Sequence, residues 1–153
     1  MIRRFTIALV SAALLLLAAS IGLAEMSKGQ TQYVPCSSHI FHGPKSRQLD
    51  LTVTLVVRNI DTKRPLSLTS VDYYGSDGQL VRRYLAAPVA VQPLSAREFV
   101  VDEKDMAGGV GASFLVSWKS GAALNAPIVE AVMIGSSNGL GISYINRGVA
   151  IQE

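Results

Sequence analysis

Three residues early in the chain carry side chains that bind soft metals. Cys36, His39 and His42 form a C-x2-H-x2-H run. A thiolate with two imidazoles suits copper or zinc if a looped segment lets the three converge. In a strand the outcome reverses, because His39 and His42 then point to opposite faces. The competing reading is an exposed edge with two ordinary histidines. Cys36 is then a buried small hydrophobe, a bridge to a second chain, or a thiol reactive toward a partner. One cysteine in 153 residues excludes an intrachain disulfide framework and a structural zinc site built from several thiolates.

Other chemistry is thinner. Gly135-Ser136-Ser137-Asn138-Gly139 is not the G-x-S-x-G elbow, and no helix follows to expose a serine nucleophile. Gly108-Gly109-Val110-Gly111 lacks dinucleotide spacing and opens a strand, so a phosphate meets no helix N-terminus there. Asp72 and Tyr74 share one face of a strand end, a polar-aromatic pair that could hold a sugar or a peptide. Glu130 stands between Ile128 and Val132, and a lone acid there calls for a basic cross-strand partner, for which Arg147 is the candidate. Asp72, Tyr74, Glu130 and Arg147 are therefore the candidate ligand surface. Cys36, His39 and His42 are the candidate metal or redox set, and no catalytic residue is assigned.

The segments that must position these residues read in twos. Leu49, Leu51, Val53, Leu55 and Val57 alternate with Asp50, Thr52, Thr54, Val56 and Arg58, the pattern of a half-buried strand. Leu66, Leu68, Val71 and Tyr73 switch parity, which places a bulge near Ser70. Asp77-Gly78 is a hairpin turn leading into Leu80 to Leu85. Pro88 and Pro93 bracket Val89-Ala90-Val91 as an edge segment, since proline cannot donate to a ladder. Phe99 and Val101 share a face of a short strand. Ala112, Phe114, Val116 and Trp118 alternate through another, followed by a loop from Gly121 to Pro127. Ile128 to Ile134 is nearly continuous apolar, and Asn138-Gly139 turns the chain into Ile142 to Ile151. Seven or eight strands at this spacing, with no amphipathic helix among them, predict an all-β protein. The expected form is an immunoglobulin-like antiparallel β-sandwich, with a small closed barrel as the alternative.

Composition agrees and adds a location. Hydrophobic residues make up 49% of the chain and charged residues 16%, which excludes a disordered tail. Arg3 and Arg4 precede an uncharged stretch from Ile7 to Ala24, with Gly22 and Ala24 small before Glu25. That order spells an export signal over residues 1–24, leaving one domain over 25–153. Its 18 uncharged residues exceed the usual signal core of roughly 7–15. They would also span a bilayer, which takes about 17–25. An uncleaved anchor is therefore the rival reading, and the arginines put the rest of the chain outside the cytoplasmic membrane. Without Arg3 and Arg4, 12 basic residues face 11 acidic ones, so charge gives no argument for nucleic acid.

Tyr33-Val34-Pro35, Ser38-His39-Ile40, the run from Thr69 to Tyr74, Ser76-Asp77-Gly78 and the run from Glu130 to Gly135 occur together in order. Over about residues 30 to 150 the chain thereby resembles a bacterial family of exported proteins classed as a domain of unknown function. Cys36 and Ser37 depart from that pattern, where relatives are expected to carry an apolar residue and a tyrosine. The resemblance implies export and one compact domain, and it carries over no activity. The expectation is an exported periplasmic or outer-face envelope protein without a cofactor. It is expected to be a non-catalytic module that binds a partner protein, peptide or glycan and meets the membrane only through its N-terminal segment. Metal or redox work by Cys36, His39 and His42 is the alternative.

Overall fold

The computed structural model describes residues 26–152. The export signal or anchor read over residues 1–24, and the helix expected there, lie outside the described residues. Twelve strands follow: β1 (Met26–Pro35), β2 (His39–His42), β3 (Arg47–Asp50), β4 (Thr52–Arg58), β5 (Leu66–Tyr74) and β6 (Leu80–Arg83). The rest are β7 (Val89–Val91), β8 (Ala96–Val101), β9 (Ser113–Asn125), β10 (Ile128–Ser137), β11 (Leu140–Arg147) and β12 (Val149–Ile151). All pairings are antiparallel. Among the described residues no helix is long and apolar enough to cross a membrane.

One sheet runs β12-β1-β9-β5-β6, with β7 beside the other half of β5; the second runs β11-β10-β4-β8; β2 and β3 form a separate hairpin. Alternation decides what each sheet buries. Val53, Leu55 and Val57 of β4 and Val129, Ala131 and Met133 of β10 face Val71, Tyr73, Phe114, Val116 and Trp118 of the first sheet in one core. Two stacked antiparallel sheets with a shared apolar interior are the expected sandwich. The bulge in β5 falls where parity requires it, between Leu68 and Ser70, so that Leu66, Leu68, Val71 and Tyr73 all reach the core.

The strand count exceeds the expected seven or eight because several apparent runs are broken by their partners. Leu49 and Leu51 share parity, yet the Leu51 N–H turns away to donate to the Ser38 carbonyl at 2.9 Å, which separates β3 from β4. The expected run from Ile142 to Ile151 breaks at Gly148, where the chain leaves the second sheet and joins the first through β12. A Cβ at Gly148 would stand 2.8 Å from Gln32 Oε1 and 3.0 Å from Val34 Cγ2, so the crossing needs glycine. The expected loop from Gly121 is instead strand as far as Asn125, because Met26 and Ser27 pair with Asn125 and Leu124.

The turns follow their residues. Asn138 (φ 52°) and Gly139 (φ 79°) make the β10–β11 hairpin with two left-handed residues in succession. Between β4 and β5, buried Asn59 donates from Nδ2 to the carbonyls of Arg64 (2.8 Å) and Val91 (3.1 Å). The N–H groups of Lys63 and Arg64 donate to Asp61 Oδ1, both at 2.9 Å. Those two bonds, Lys63 first, hold the Asp61 carboxyl below its ordinary value of 3.8. A depressed value means stability present above the unfolded value and lost as pH falls through the folded one. Asp61→Asn is therefore expected to melt below the wild type at pH 7. The gap should close as pH drops below about 4. A gap that stays constant with pH would show that the carboxylate is not holding this loop.

Candidate binding site

On the outer face of the first sheet, pairing lines up one row across five strands. Val149, Tyr33, Leu115, Asp72 and Arg83 stand side by side through β12, β1, β9, β5 and β6. The next row carries Pro35, Ser113 and Tyr74. Tyr33 and Tyr74 thus rise on either side of β9, roughly 12 Å apart at the backbone, two strand spacings across and two residues along. Between and beyond them Ser113, Leu115, Gly75, Ser76, Gly78 and Gly111 close a shallow depression of about 370 Å³. That volume is within the range of small-molecule sites. Tyr33 is 40% exposed, which is unusual for a large ring on a sheet face.

The upper rim is rigid for local reasons. Gly78 takes φ 77°, which the Asp77-Gly78 turn requires. Ser76 ties that turn to the loop before β9. Its N–H donates to the Gly108 carbonyl at 2.8 Å, its hydroxyl donates to the same carbonyl at 3.0 Å, and the Gly111 N–H donates to Ser76 Oγ at 2.8 Å. The lining residues carry hydroxyls, rings and glycine backbone and no charge. Such a surface can stack on an apolar ring face and exchange neutral hydrogen bonds.

Of the sequence-derived candidates, Tyr74 lines this depression, while Asp72, on the same outward face of β5 opposite Leu115, stands outside its lining. Glu130 and Arg147 do not join them. They stand opposite each other in register on β10 and β11, without an ion pair between their side chains among the described residues, and they belong to the second sheet. The four therefore form two surfaces on two sheets, a correction that only the sheet assignment could supply. Tyr33 was not singled out by its residue type. Its signal was parity with Thr31 and Pro35 against the buried Gln32 and Val34.

Cys36, His39 and His42 are not brought together. Cys36 is 2% exposed just past β1, its N–H donating to the Ala112 carbonyl at 2.8 Å. Burial pushes its thiol up to about 12, so it stays protonated and unreactive. His39 and His42 lie on β2, opposite Asp50 and Arg47, with His39 Nδ1 3.3 Å from Ser38 Oγ and His42 exposed. Among the described residues no group of three His, Cys, Asp or Glu side chains is placed to hold a metal ion. Ser136 and Ser137 end β10 ahead of a hairpin, without the strand-to-helix elbow of a serine nucleophile.

The fold and this depression define an all-β two-sheet module with a neutral aromatic surface groove. The chain belongs to the DUF3124 family, proteins of unknown function, whose model matches residues 29–151. A search of curated proteins found no match. Among solved structures, the chain is similar to protein 1070 of Thermotoga maritima, at 7% identity and a TM-score of 0.48, over 78% of this chain and 92% of that one. It is also similar to FLGD of P. aeruginosa, at 15% identity and a TM-score of 0.24, over 80% and 73%. Likenesses this distant carry no functional argument.

Proposed function

We propose that the protein is an exported, non-catalytic binding module of the cell envelope that holds a glycan in the Tyr33–Tyr74 groove. The observation that carries this reading is the pair of outward tyrosines flanking an uncharged floor of Ser113 and Leu115. Sugars offer apolar C–H faces to aromatic rings and hydroxyls to serine and backbone groups, and a neutral lining suits a neutral ligand. Residues of the groove include no carboxylate, imidazole or thiol, which favours holding a ligand over transforming it. Export rests on the order of basic, apolar and small residues before Glu25.

Calorimetric titration with soluble N-acetylglucosamine oligomers tests the reading. Wild type is expected to bind. Tyr33→Ala and Tyr74→Ala should each weaken binding by about 2 kcal/mol, roughly thirtyfold, the scale of an anchoring aromatic residue. Binding that survives both substitutions, or a wild type that takes up no oligosaccharide of several linkages, would remove the groove from the account.

A further inference from the structure

The opposite end of the sandwich carries a second surface. β1 begins there, with Met26 paired to Asn125. Two loops meet beside it. The Asn59 N–H donates to the Ser95 carbonyl at 2.9 Å and the Leu94 N–H to the Asp61 carbonyl at 3.2 Å. Arg64 ties the same loops to β9 through a bond to the Ala123 carbonyl. Three apolar side chains project from this rigid end, Leu94 at 70% exposure, Met26 at 53% and Ile60 at 40%.

Leu94 is the informative one. It follows Pro93 in a turn closed by the Ser95 N–H on the Gln92 carbonyl, and it adopts φ 57°. That position normally takes glycine or asparagine, since a left-handed conformation is costly for a bulky side chain. A leucine held there and exposed is strained locally with no packing in return, a pattern that points to function. Exposed basic residues also gather here. Lys28, Arg58, Lys63 and Arg64 are exposed at or near this end, where the loop acid Asp61 is buried and turned onto backbone N–H groups. The other end is mixed, with the exposed acids Asp77, Asp102 and Glu103 beside exposed Arg82, Arg83 and Lys104.

We infer that this end is a membrane-contact surface, with Leu94 and Ile60 entering the interface of a bilayer and Arg58, Lys63 and Arg64 meeting its anionic headgroups. Apolar side chains beside basic ones are the signature of interfacial binding. The uncharged stretch from Ile7 to Ala24 ends two residues before Met26, with Glu25 between them, so a chain that keeps this stretch in the membrane delivers this end to the lipid surface. The Tyr33–Tyr74 groove, at the far end of the sheet face, then stays clear of the bilayer. The inference shares with the glycan reading only the exported location, and either can fail alone.

The full chain can be reconstituted in vesicles of phosphatidylethanolamine and phosphatidylglycerol, with a nitroxide on Leu94→Cys or, as control, on Asp77→Cys. Buried Cys36 is shielded from the label. At position 94 collisions with oxygen are expected to dominate over those with a water-soluble nickel chelate, at a depth of about 5 Å past the headgroups. Position 77 should show the reverse. Lys63→Glu/Arg64→Glu, or vesicles of phosphatidylcholine alone, should shift position 94 toward the nickel reagent. Equal water exposure at 94 and 77 overturns the inference. Protection of 94 from both reagents also overturns it, since that is contact with protein and not lipid.

Discussion

Gly108→Ala is expected to cost about 3 kcal/mol of stability, the upper range for overpacking a buried site. A Cβ at that position would stand 1.8 Å from Tyr73 Oη, 2.6 Å from Tyr73 Cζ and 2.8 Å from Ala112 Cβ. Tyr73 cannot retreat, because it is fully buried in the core with its ring 4.9 Å from that of Phe114. Its hydroxyl has no hydrogen-bond partner, and burial raises its ionisation above the ordinary value, so it sits there neutral and unpaired. Tyr73→Phe alone should therefore leave stability unchanged or raise it by about 1 kcal/mol, because an unsatisfied buried group is removed. In the double variant part of the loss should return, since the nearest clashing atom is gone while Cζ and Ala112 still crowd the site. Urea midpoints for the four proteins give the coupling directly. Additive effects in that cycle would mean that Gly108 and Tyr73 do not touch.

Trp118→Ala should cost about 3–5 kcal/mol, a large share of the roughly 5–15 kcal/mol that holds a domain of this kind together. Trp118 is the largest fully buried side chain and lies in the middle of the core on β9, the strand that pairs with both β1 and β5. Its indole N–H has no partner, so the loss comes from volume and apolar contact and not from a broken hydrogen bond. Trp118→Phe should accordingly retain most of the stability. A lowered urea midpoint with unchanged slope is the expected form of the alanine result. A loss below about 1 kcal/mol would contradict the packing of the two sheets around this residue.

Wherever one face of a strand is buried and the other wet, the fold was legible in the sequence. β4 and the first half of β9 could be read directly, and so could the bulge near Ser70, the two Gly-containing hairpins and the edge placement of Val89–Val91. Strands with polar sequences were not legible. Of β1, MSKGQTQYVP, little is apolar, and its buried Gln32 is satisfied by the Pro127 carbonyl at 3.3 Å, a partner 95 positions away. The β2–β3 hairpin and the sheet change at Gly148 likewise depend on what lies opposite and not on local pattern. The groove divides in the same manner. Tyr74 and Asp72 were visible as an outward pair on a strand end. Tyr33 became a site residue only when β1 was laid on β9 with Tyr33 against Leu115. The cysteine and histidines show the converse, since their spacing suggested chemistry that strand geometry disperses.

Mapping amide and aromatic NMR shifts during titration with N-acetylglucosamine oligomers locates bound ligand residue by residue. The groove account predicts shifts concentrated at Tyr33, Tyr74, Ser76, Ser113 and Leu115, with the Leu94 end unmoved. Shifts centred on the second sheet, around Glu130 and Arg147, or no shifts at all, would contradict it.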